Sequence, residues 1–155
     1  MSKPLDPTLS IEIGKAIKSK PNDSFNNAYK AALSNKTCMY VQGFLVFAGY
    51  PYKPVEHGWI ELDNCIIDPS LPHLDKNPEE LYYFAAHSLS VEDLEAQVEE
   101  AKEDYPEDKP LPVYGDMPYE YYGDIMLGGN DYKLAYEEAL VKSKELNKPV
   151  TPSNN

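Results

Sequence analysis

Hydrophobic positions follow two different periods along the chain, and these periods predict a mixture of helices and strands. Helical spacing of apolar residues predicts helices over residues 9–19, 25–35, 91–104 and 131–147. Runs rich in β-branched and aromatic residues predict strands over 39–47, 55–62 and 65–68. Residues 81–86 suit a further strand, although Pro78 to Glu80 also suit a helix start. We therefore predict an α+β fold in which an antiparallel sheet with a central hairpin packs against the helices.

The C-terminal half combines two predicted helices with an irregular segment. Ser90 and Asp93 resemble a capping box and predict a helix start, with an apolar side formed by Val91, Leu94 and Val98. The last helix is predicted to direct inward Leu134, Ala135, Leu140 and Val141. Residues 106–129 hold four prolines, four glycines and four tyrosines, which predicts an ordered arm over the surface. The chain is interpreted as one domain over residues 1–148 with a flexible tail over 149–155.

The hairpin brings two residues with chemical potential close together. Asp63 and Asn64 tolerate the positive φ of a two-residue turn. The pairs counted outward from this turn are Leu62 with Cys65, Glu61 with Ile66, Ile60 with Ile67 and Trp59 with Asp68. His57 then lies on the face of Asp68 and diagonal to it, at a backbone distance of roughly 7–8 Å that allows a hydrogen bond. Such a carboxylate orients a catalytic histidine. The alternatives are a surface ion pair, or an Asp68 that only opens the next turn.

Charge and composition exclude several classes of partner. The 155 residues include 26 acidic and 14 basic side chains, a net charge of −12, without a basic stripe. Such a surface repels phosphates, so nucleic acid and anionic membranes are not expected partners. The chain begins without a basic segment followed by an apolar one, and no stretch approaches the roughly 18 apolar residues of a membrane span. We therefore expect a cytoplasmic location.

Three side chains are candidate nucleophiles, namely Ser24, Cys38 and Cys65. Cys65 is expected to face away from His57, and Cys38 lacks the helix amino terminus that lowers a thiol pKa. Ser24 lies at a predicted helix start, where backbone N–H groups and the helix dipole can hold an oxyanion. Its alternative role is a simple N-cap. Two cysteines without metal-ligand spacing predict reduced thiols and no structural zinc, and no cofactor is expected.

Four short motifs follow one another in an order that resembles a known superfamily. They are Ser24-Phe25-Asn26-Asn27-Ala28, Tyr40-Val41-Gln42-Gly43, His57-Gly58-Trp59 and Asp68-Pro69-Ser70. This stretch, residues 22–71, resembles small bacterial and phage members of the papain-like and transglutaminase-like hydrolases. Their pattern is Cys-x-x-Asn-Ala, Tyr-Val-x-Gly, His-x-Trp and Asp-Pro-Thr. The resemblance implies a nucleophile at Ser24, a general base at His57 and an orienting carboxylate at Asp68. The leading hypothesis adds a peptide or small amide substrate.

The nucleophile position departs from the family pattern, because Ser24 stands where the family has cysteine. A thiol beside histidine forms a standing thiolate with a pKa as low as ~3–4, whereas a hydroxyl stays protonated and needs concerted base catalysis. Three explanations are open: a natural serine variant, an inactive relative that keeps its cleft for binding, and a deliberate exchange of cysteine for serine. Asn27 is expected to assist the oxyanion, and Trp59 and Tyr121 are expected to contact substrate.

Two other functions are compatible with these residues. The first is a non-enzymatic protein-binding domain whose aromatic contact surface consists of Trp59 and the tyrosines of residues 114–122. The second is a metal site formed by His57, Asp68 and His73, although this spacing matches no recognised family. The leading hypothesis is a hydrolase or acyltransferase-like domain that uses Ser24, His57 and Asp68.

Overall fold

The computed structural model describes residues 3–112 and 129–148, and these residues form an α+β fold. Within them one antiparallel sheet consists of β1 Met39–Val46, β2 Val55–Glu61, β3 Ile66–Ile67 and β4 Tyr82–Ser90. The helices are α1 Pro7–Ala16, α2 Ser24–Ser34, α3 Val91–Asp104 and α4 Gly129–Leu146. Short 3-10 turns occur at Leu71–His73 and Pro78–Glu80. The predicted fold class is confirmed.

Strand β1 runs through the middle of the sheet, whose strand order is β3-β2-β1-β4. Every residue of β1 after Met39 is buried. One face, which includes Tyr40 and Phe44, packs against α2, α3 and α4. The opposite face, which includes Val41 and Leu45, packs against Leu5, Leu71 and Leu81. Because both faces are covered, the sequence of β1 is a nearly continuous apolar run without polar alternation.

The β2–β3 hairpin has the predicted register. Ile60 pairs with Ile67 and Glu61 with Ile66, and the Leu62 amide donates to the Cys65 carbonyl at 2.9 Å. Strand β2 is an interior strand, since β1 pairs with its other side. Beyond β3, the N-terminal segment adds a parallel bridge between Leu5 and Ile66. The hairpin therefore lies at the β3 side of the sheet, and β2 is its inner strand.

Helix α4 buries a different face from the predicted one. Its buried residues are Tyr132, Ala135, Ala139 and Ser143. Leu140 is half-buried, whereas Leu134 and Val141 are 50% and 66% exposed. The prediction was right for Ala135 and wrong for Leu134 and Val141. The two alanines let the helix approach Phe44 and β4 closely, and the Tyr132 ring meets Phe44 edge-on with centroids 6.1 Å apart.

The bounds of the other elements agree closely with the sequence pattern. Helix α1 begins at Pro7, before the predicted residue 9, because the Asp6 carboxylate accepts from the Leu9 amide at 3.0 Å. Ser90 caps α3 by accepting from the Asp93 amide at 3.1 Å. The strand alternative for residues 81–86 is confirmed, and Pro78–Glu80 form a 3-10 turn before it.

Some predictions fall on residues that the structure leaves undescribed. Most of the predicted arm over 106–129, including Tyr121, and the predicted tail over 149–155 lie outside the described residues. Among the residues that are described, no helix has both the length and the apolar composition to cross a membrane.

Candidate active site

Strand β2 and the turn after β3 bring His57 and Asp68 together as the hairpin register predicts. The distance from His57 Nε2 to Asp68 Oδ2 is 2.8 Å. The two side chains are 6% and 0% exposed, so the pair is buried and the surface ion pair alternative was wrong. With Nε2 donating to the carboxylate, Nδ1 is the ring nitrogen that can accept a proton in the neutral tautomer. Nδ1 has no hydrogen-bond partner among the described residues.

Asp68 is held by donors on both carboxylate oxygens. Oδ2 accepts from the Tyr83 hydroxyl at 2.7 Å as well as from His57. Oδ1 accepts from the Ser70 amide at 2.9 Å, which is the turn-opening contact. The Asp68 amide donates to the Ser10 hydroxyl of α1 at 2.9 Å. These bonds offset the cost of burying the carboxylate and fix its orientation. Asp68 therefore orients His57 and opens the turn at the same time.

Tyr83 belongs to the site although the sequence analysis did not select it. It comes from β4, which β1 separates from β2. Its ring centroid lies 5.1 Å from that of Trp59 and 6.3 Å from that of His57. Burial, together with the charge and hydrogen bond of Asp68, raises the pKa of Tyr83 well above its usual value, so the hydroxyl stays a donor. The sequence held no signal for it, because residues 81–86 are all apolar or aromatic and do not alternate with polar ones.

Ser24 is the first residue of α2, and its hydroxyl lies against the strand that carries His57. The Gly58 amide donates to Ser24 Oγ at 3.2 Å, and Gly58 directly follows His57 in the chain. In the described structure, Ser24 Oγ makes no hydrogen bond to the His57 ring. The fold thus brings the Ser24 hydroxyl to the main chain of β2 at the residue after His57, whose ring bonds Asp68.

Gly58 permits this close approach between α2 and β2. A Cβ atom at this position would lie 3.0 Å from Phe25 Cδ1, 3.2 Å from Phe25 Cα and 3.4 Å from the Ser24 carbonyl oxygen. Two of these three neighbours are backbone atoms, which cannot move without shifting the helix start. The middle position of the His57-Gly58-Trp59 motif therefore requires glycine for contact with α2.

Asn27 is a structural residue in this arrangement. It is fully buried, and its Oδ1 accepts from the Lys20 amide at 3.0 Å. Its Nδ2 donates to the Lys20 carbonyl at 2.8 Å and to the Ser70 hydroxyl at 2.9 Å. Both amide hydrogens are used, so the expectation that the Asn27 side chain assists an oxyanion does not fit. Instead, Asn27 ties α2 to the loop before it and to the turn that follows Asp68.

Trp59 lies in the core. It is 0% exposed, and its Nε1 donates to Glu61 Oε2 at 3.0 Å. The hypotheses that Trp59 contacts substrate or belongs to an aromatic contact surface do not fit this burial. Its ring is stacked near His57, with centroids 6.2 Å apart and planes 28° from parallel. Trp59 therefore supports the position of the imidazole from the strand itself.

Neither cysteine is an activated nucleophile. Burial raises the pKa of the Cys38 thiol to about 11. Burial and the charge of Asp6 raise the pKa of the Cys65 thiol. Both groups are thiols near neutral pH, and a protonated thiol is a poor nucleophile. Ser24 remains the candidate nucleophile position.

The alternative metal site is not formed. His73 lies apart from His57 and Asp68, with its Nε2 3.0 Å from both the hydroxyl and the carbonyl oxygen of Ser19. Among the described residues, no three histidine, cysteine or acidic side chains are grouped so that they would hold a metal ion.

Comparisons with protein-family models, with curated proteins and with solved structures found no match for this chain. The assignment of the site therefore depends on the geometry of His57, Asp68 and Ser24 and on the order of the sequence motifs that contain them. No family membership is concluded from these comparisons.

Proposed function

We propose that this protein is an acyl-transfer or amide-hydrolysing domain of the papain-like and transglutaminase-like type, acting on a peptide or small amide. His57 is its general base, Asp68 orients His57, and residue 24 is the nucleophile position. The observation that carries this proposal is the buried hydrogen bond of 2.8 Å between His57 and Asp68 beside the start of α2. Polar groups are costly to bury unless they are paired, and an oriented histidine is the usual partner of an acyl-transfer nucleophile.

The free ring nitrogen of His57 supports the role of general base. In the proposed reaction, Nδ1 takes the proton of the nucleophile at position 24 as that atom attacks the substrate carbonyl carbon. The buried carboxylate of Asp68 stabilises the resulting imidazolium. The imidazolium then returns the proton to the leaving amine as the bond between the acyl carbon and nitrogen breaks. Water or a second amine then attacks the acyl carbon and gives a proton to Nδ1. The bond between the acyl carbon and the nucleophile atom of residue 24 breaks as the imidazolium returns that proton to the nucleophile.

The start of α2 supports stabilisation of the oxyanion. Asp23 precedes the helix but makes no side-chain cap with its first amides. Its Oδ1 instead accepts from Asn26 Nδ2 at 2.9 Å. The first amides of α2 and the positive end of the helix dipole are thus directed to the region beside Ser24. Donors of this kind stabilise the charge that develops on a carbonyl oxygen during acyl transfer.

The experiment that tests this function uses the variant Ser24→Cys and the thiol-directed reagent iodoacetamide. We expect the introduced thiol to react fastest, because a neighbouring histidine lowers the pKa of a thiol. Cys38 and Cys65 act as internal references, since burial raises the pKa of both thiols. Peptide mapping by mass spectrometry at pH 6 measures the three rates separately.

The control combines Ser24→Cys with His57→Ala. Without the imidazole, the labelling rate of the introduced thiol at pH 6 is expected to fall roughly 10- to 100-fold. Labelling confined to Cys38 and Cys65, or a rate that does not respond to the loss of His57, would contradict the proposed function.

A further inference from the structure

A groove lies between the outer edge of β4 and helix α4. Its volume is about 300 Å³. Residues 83–86 of β4 form one wall, and the residues of α4 that line the other are Asp131, Leu134, Ala135 and Glu138. The sheet order puts β4 at the opposite side from β3. The groove nevertheless includes Tyr83, whose hydroxyl bonds Asp68.

Among the described residues the β4 wall is an edge strand, and a β-bulge shifts its register with β1 after Ala85. β4 pairs with β1 on one side, and within residues 3–112 and 129–148 no strand pairs with the other. Residues 82–85 pair with β1 in regular register, and in such an antiparallel ladder alternate residues direct their N–H and C=O groups away from the partner strand. Residues 82–90 include no Lys, Arg, Asp, Glu or Pro, which commonly block edge pairing. The small side chains of Ala85 and Ala86 leave room for another backbone.

The α4 wall presents an apolar side chain between two carboxylates. Leu134 is 50% exposed, and Asp131 and Glu138 lie three residues before it and four residues after it. Residues at these spacings share one face of a helix. The groove therefore combines a row of main-chain hydrogen-bonding groups with an apolar contact that negative charges flank.

We propose that this groove binds an extended segment of a partner protein by strand addition to β4, and that this segment carries a basic residue on each side of an apolar one. Main-chain hydrogen bonds to an open edge supply affinity in this mode, and alternate side chains supply specificity. Asp131 and Glu138 complement lysine or arginine. The net charge of −12 disfavours a second copy of this chain as the occupant. The groove shares Tyr83 with the candidate active site, but Ser24, His57 and Asp68 do not line it.

The probe is an acetylated and amidated seven-residue peptide of alternating lysine and valine. Titration into the isotopically labelled full chain is expected to shift the amide resonances of Ala85, Ala86 and Leu134. Binding is expected to weaken as salt rises, because these charge pairs are screened. The same peptide with glutamate in place of lysine is expected to cause no shifts.

A matched pair of helix variants tests the charge complementarity. Glu137 and Glu138 are both exposed on α4, but only Glu138 lines the groove. Glu138→Lys is expected to raise the Kd about fivefold, whereas Glu137→Lys, with the same change in net charge, is expected to change the Kd less than twofold. Equal effects of the two variants would overturn the proposal.

Strand addition itself is tested with Phe84→Pro and Ala85→Pro, at consecutive residues of the regular ladder, so that one of the two N–H groups points outward. Proline is tolerated in an edge strand only where the replaced N–H points outward. The variant that keeps the wild-type thermal midpoint has lost an N–H that points outward. Because this N–H is needed for pairing with the peptide, that variant is expected to lose peptide binding. If both variants unfold, slowed hydrogen exchange of the Phe84 or Ala85 amide in the wild-type complex supports the proposal. Unchanged exchange of these amides contradicts the proposal. A dimer in sedimentation that Glu138→Lys disrupts also contradicts it, because a second copy of the chain would then occupy the groove.

Discussion

The Tyr83 hydroxyl donates to Asp68 Oδ2 at 2.7 Å from a strand that does not pair with the Asp68 hairpin. The same oxygen accepts from His57 Nε2. His57 on β2 and Tyr83 on β4 therefore donate to the same oxygen of Asp68, although β1 lies between their two strands. Rotation of the carboxylate would break both bonds, so the orientation of His57 depends on a residue of β4 as well as on its own hairpin.

Tyr83→Phe is expected to destabilise the protein by about 1–2 kcal/mol, because the buried carboxylate loses one of its donors while the ring packing stays. Urea unfolding measures this change in free energy. The matched control is Tyr82→Phe on the same strand, whose ring lies under Lys142 Nζ at 4.3 Å and whose hydroxyl has no hydrogen bond among the described residues. A similar loss of stability in both variants would contradict the role assigned to the Tyr83 hydroxyl.

Asp68→Asn is expected to disturb the tautomer of His57. The carboxylate has donors on both sides, His57 and Tyr83 on Oδ2 and the Ser70 amide on Oδ1. An asparagine amide has only one oxygen, so its NH₂ group must face the donors on one of the two sides. Two donors facing each other cost roughly 1–3 kcal/mol of stability. Nitrogen NMR of the His57 ring is expected to show proton occupancy moving toward Nδ1. An unchanged ring spectrum would contradict the orienting role of Asp68.

Gly58→Ala is expected to destabilise the protein by roughly 1–3 kcal/mol, since the new methyl group would press on the backbone of Phe25. In the Ser24→Cys background, the same change is expected to slow labelling of the introduced thiol, because the start of α2 shifts away from β2. Thermal unfolding and the iodoacetamide rate measure the two effects. Full retention of both would show that the helix does not depend on this contact.

Stability is expected to fall at alkaline pH because of Cys38. Burial raises the pKa of its thiol from the usual 9.0 to about 11. A raised pKa in the folded state means that the stabilisation is complete below about pH 9 and is lost as pH rises toward 11. Between pH 8 and 10 the loss is about 1 kcal/mol. Urea unfolding of Cys38→Ala at the two pH values is expected to show a correspondingly smaller change, and an equal change would contradict the assignment.

Local features of the site were predictable from the sequence. The Asp63-Asn64 turn determined the hairpin register, because each residue added on one strand pairs with one on the other. The register then placed His57 beside Asp68. The cap at Ser90 was predictable for the same reason, since its hydrogen bond to the Asp93 amide spans one helical turn.

Contacts between distant segments were not predictable in this way. The approach of Ser24 to Gly58 joins residues 34 positions apart, and Tyr83 reaches Asp68 across an intervening strand. The buried roles of Asn27 and Trp59 also depend on which elements pack around them. Their residue types suggested chemistry, whereas their hydrogen bonds show that they support the fold.

The amino-acid sequence by itself determined the elements, the hairpin register and the alternation of faces, because these follow from backbone geometry over a few residues. The tertiary structure decided the strand order, the contact of α2 with β2, the face that α4 buries and the place of β4 at the edge of the described sheet. These depend on which surfaces exclude water together and how closely their backbones approach. Side-chain hydrophobicity alone therefore predicted that Leu134 is on the buried face of α4. In the structure Ala135 and Ala139 occupy that face, and Leu134 lies at the rim of the groove.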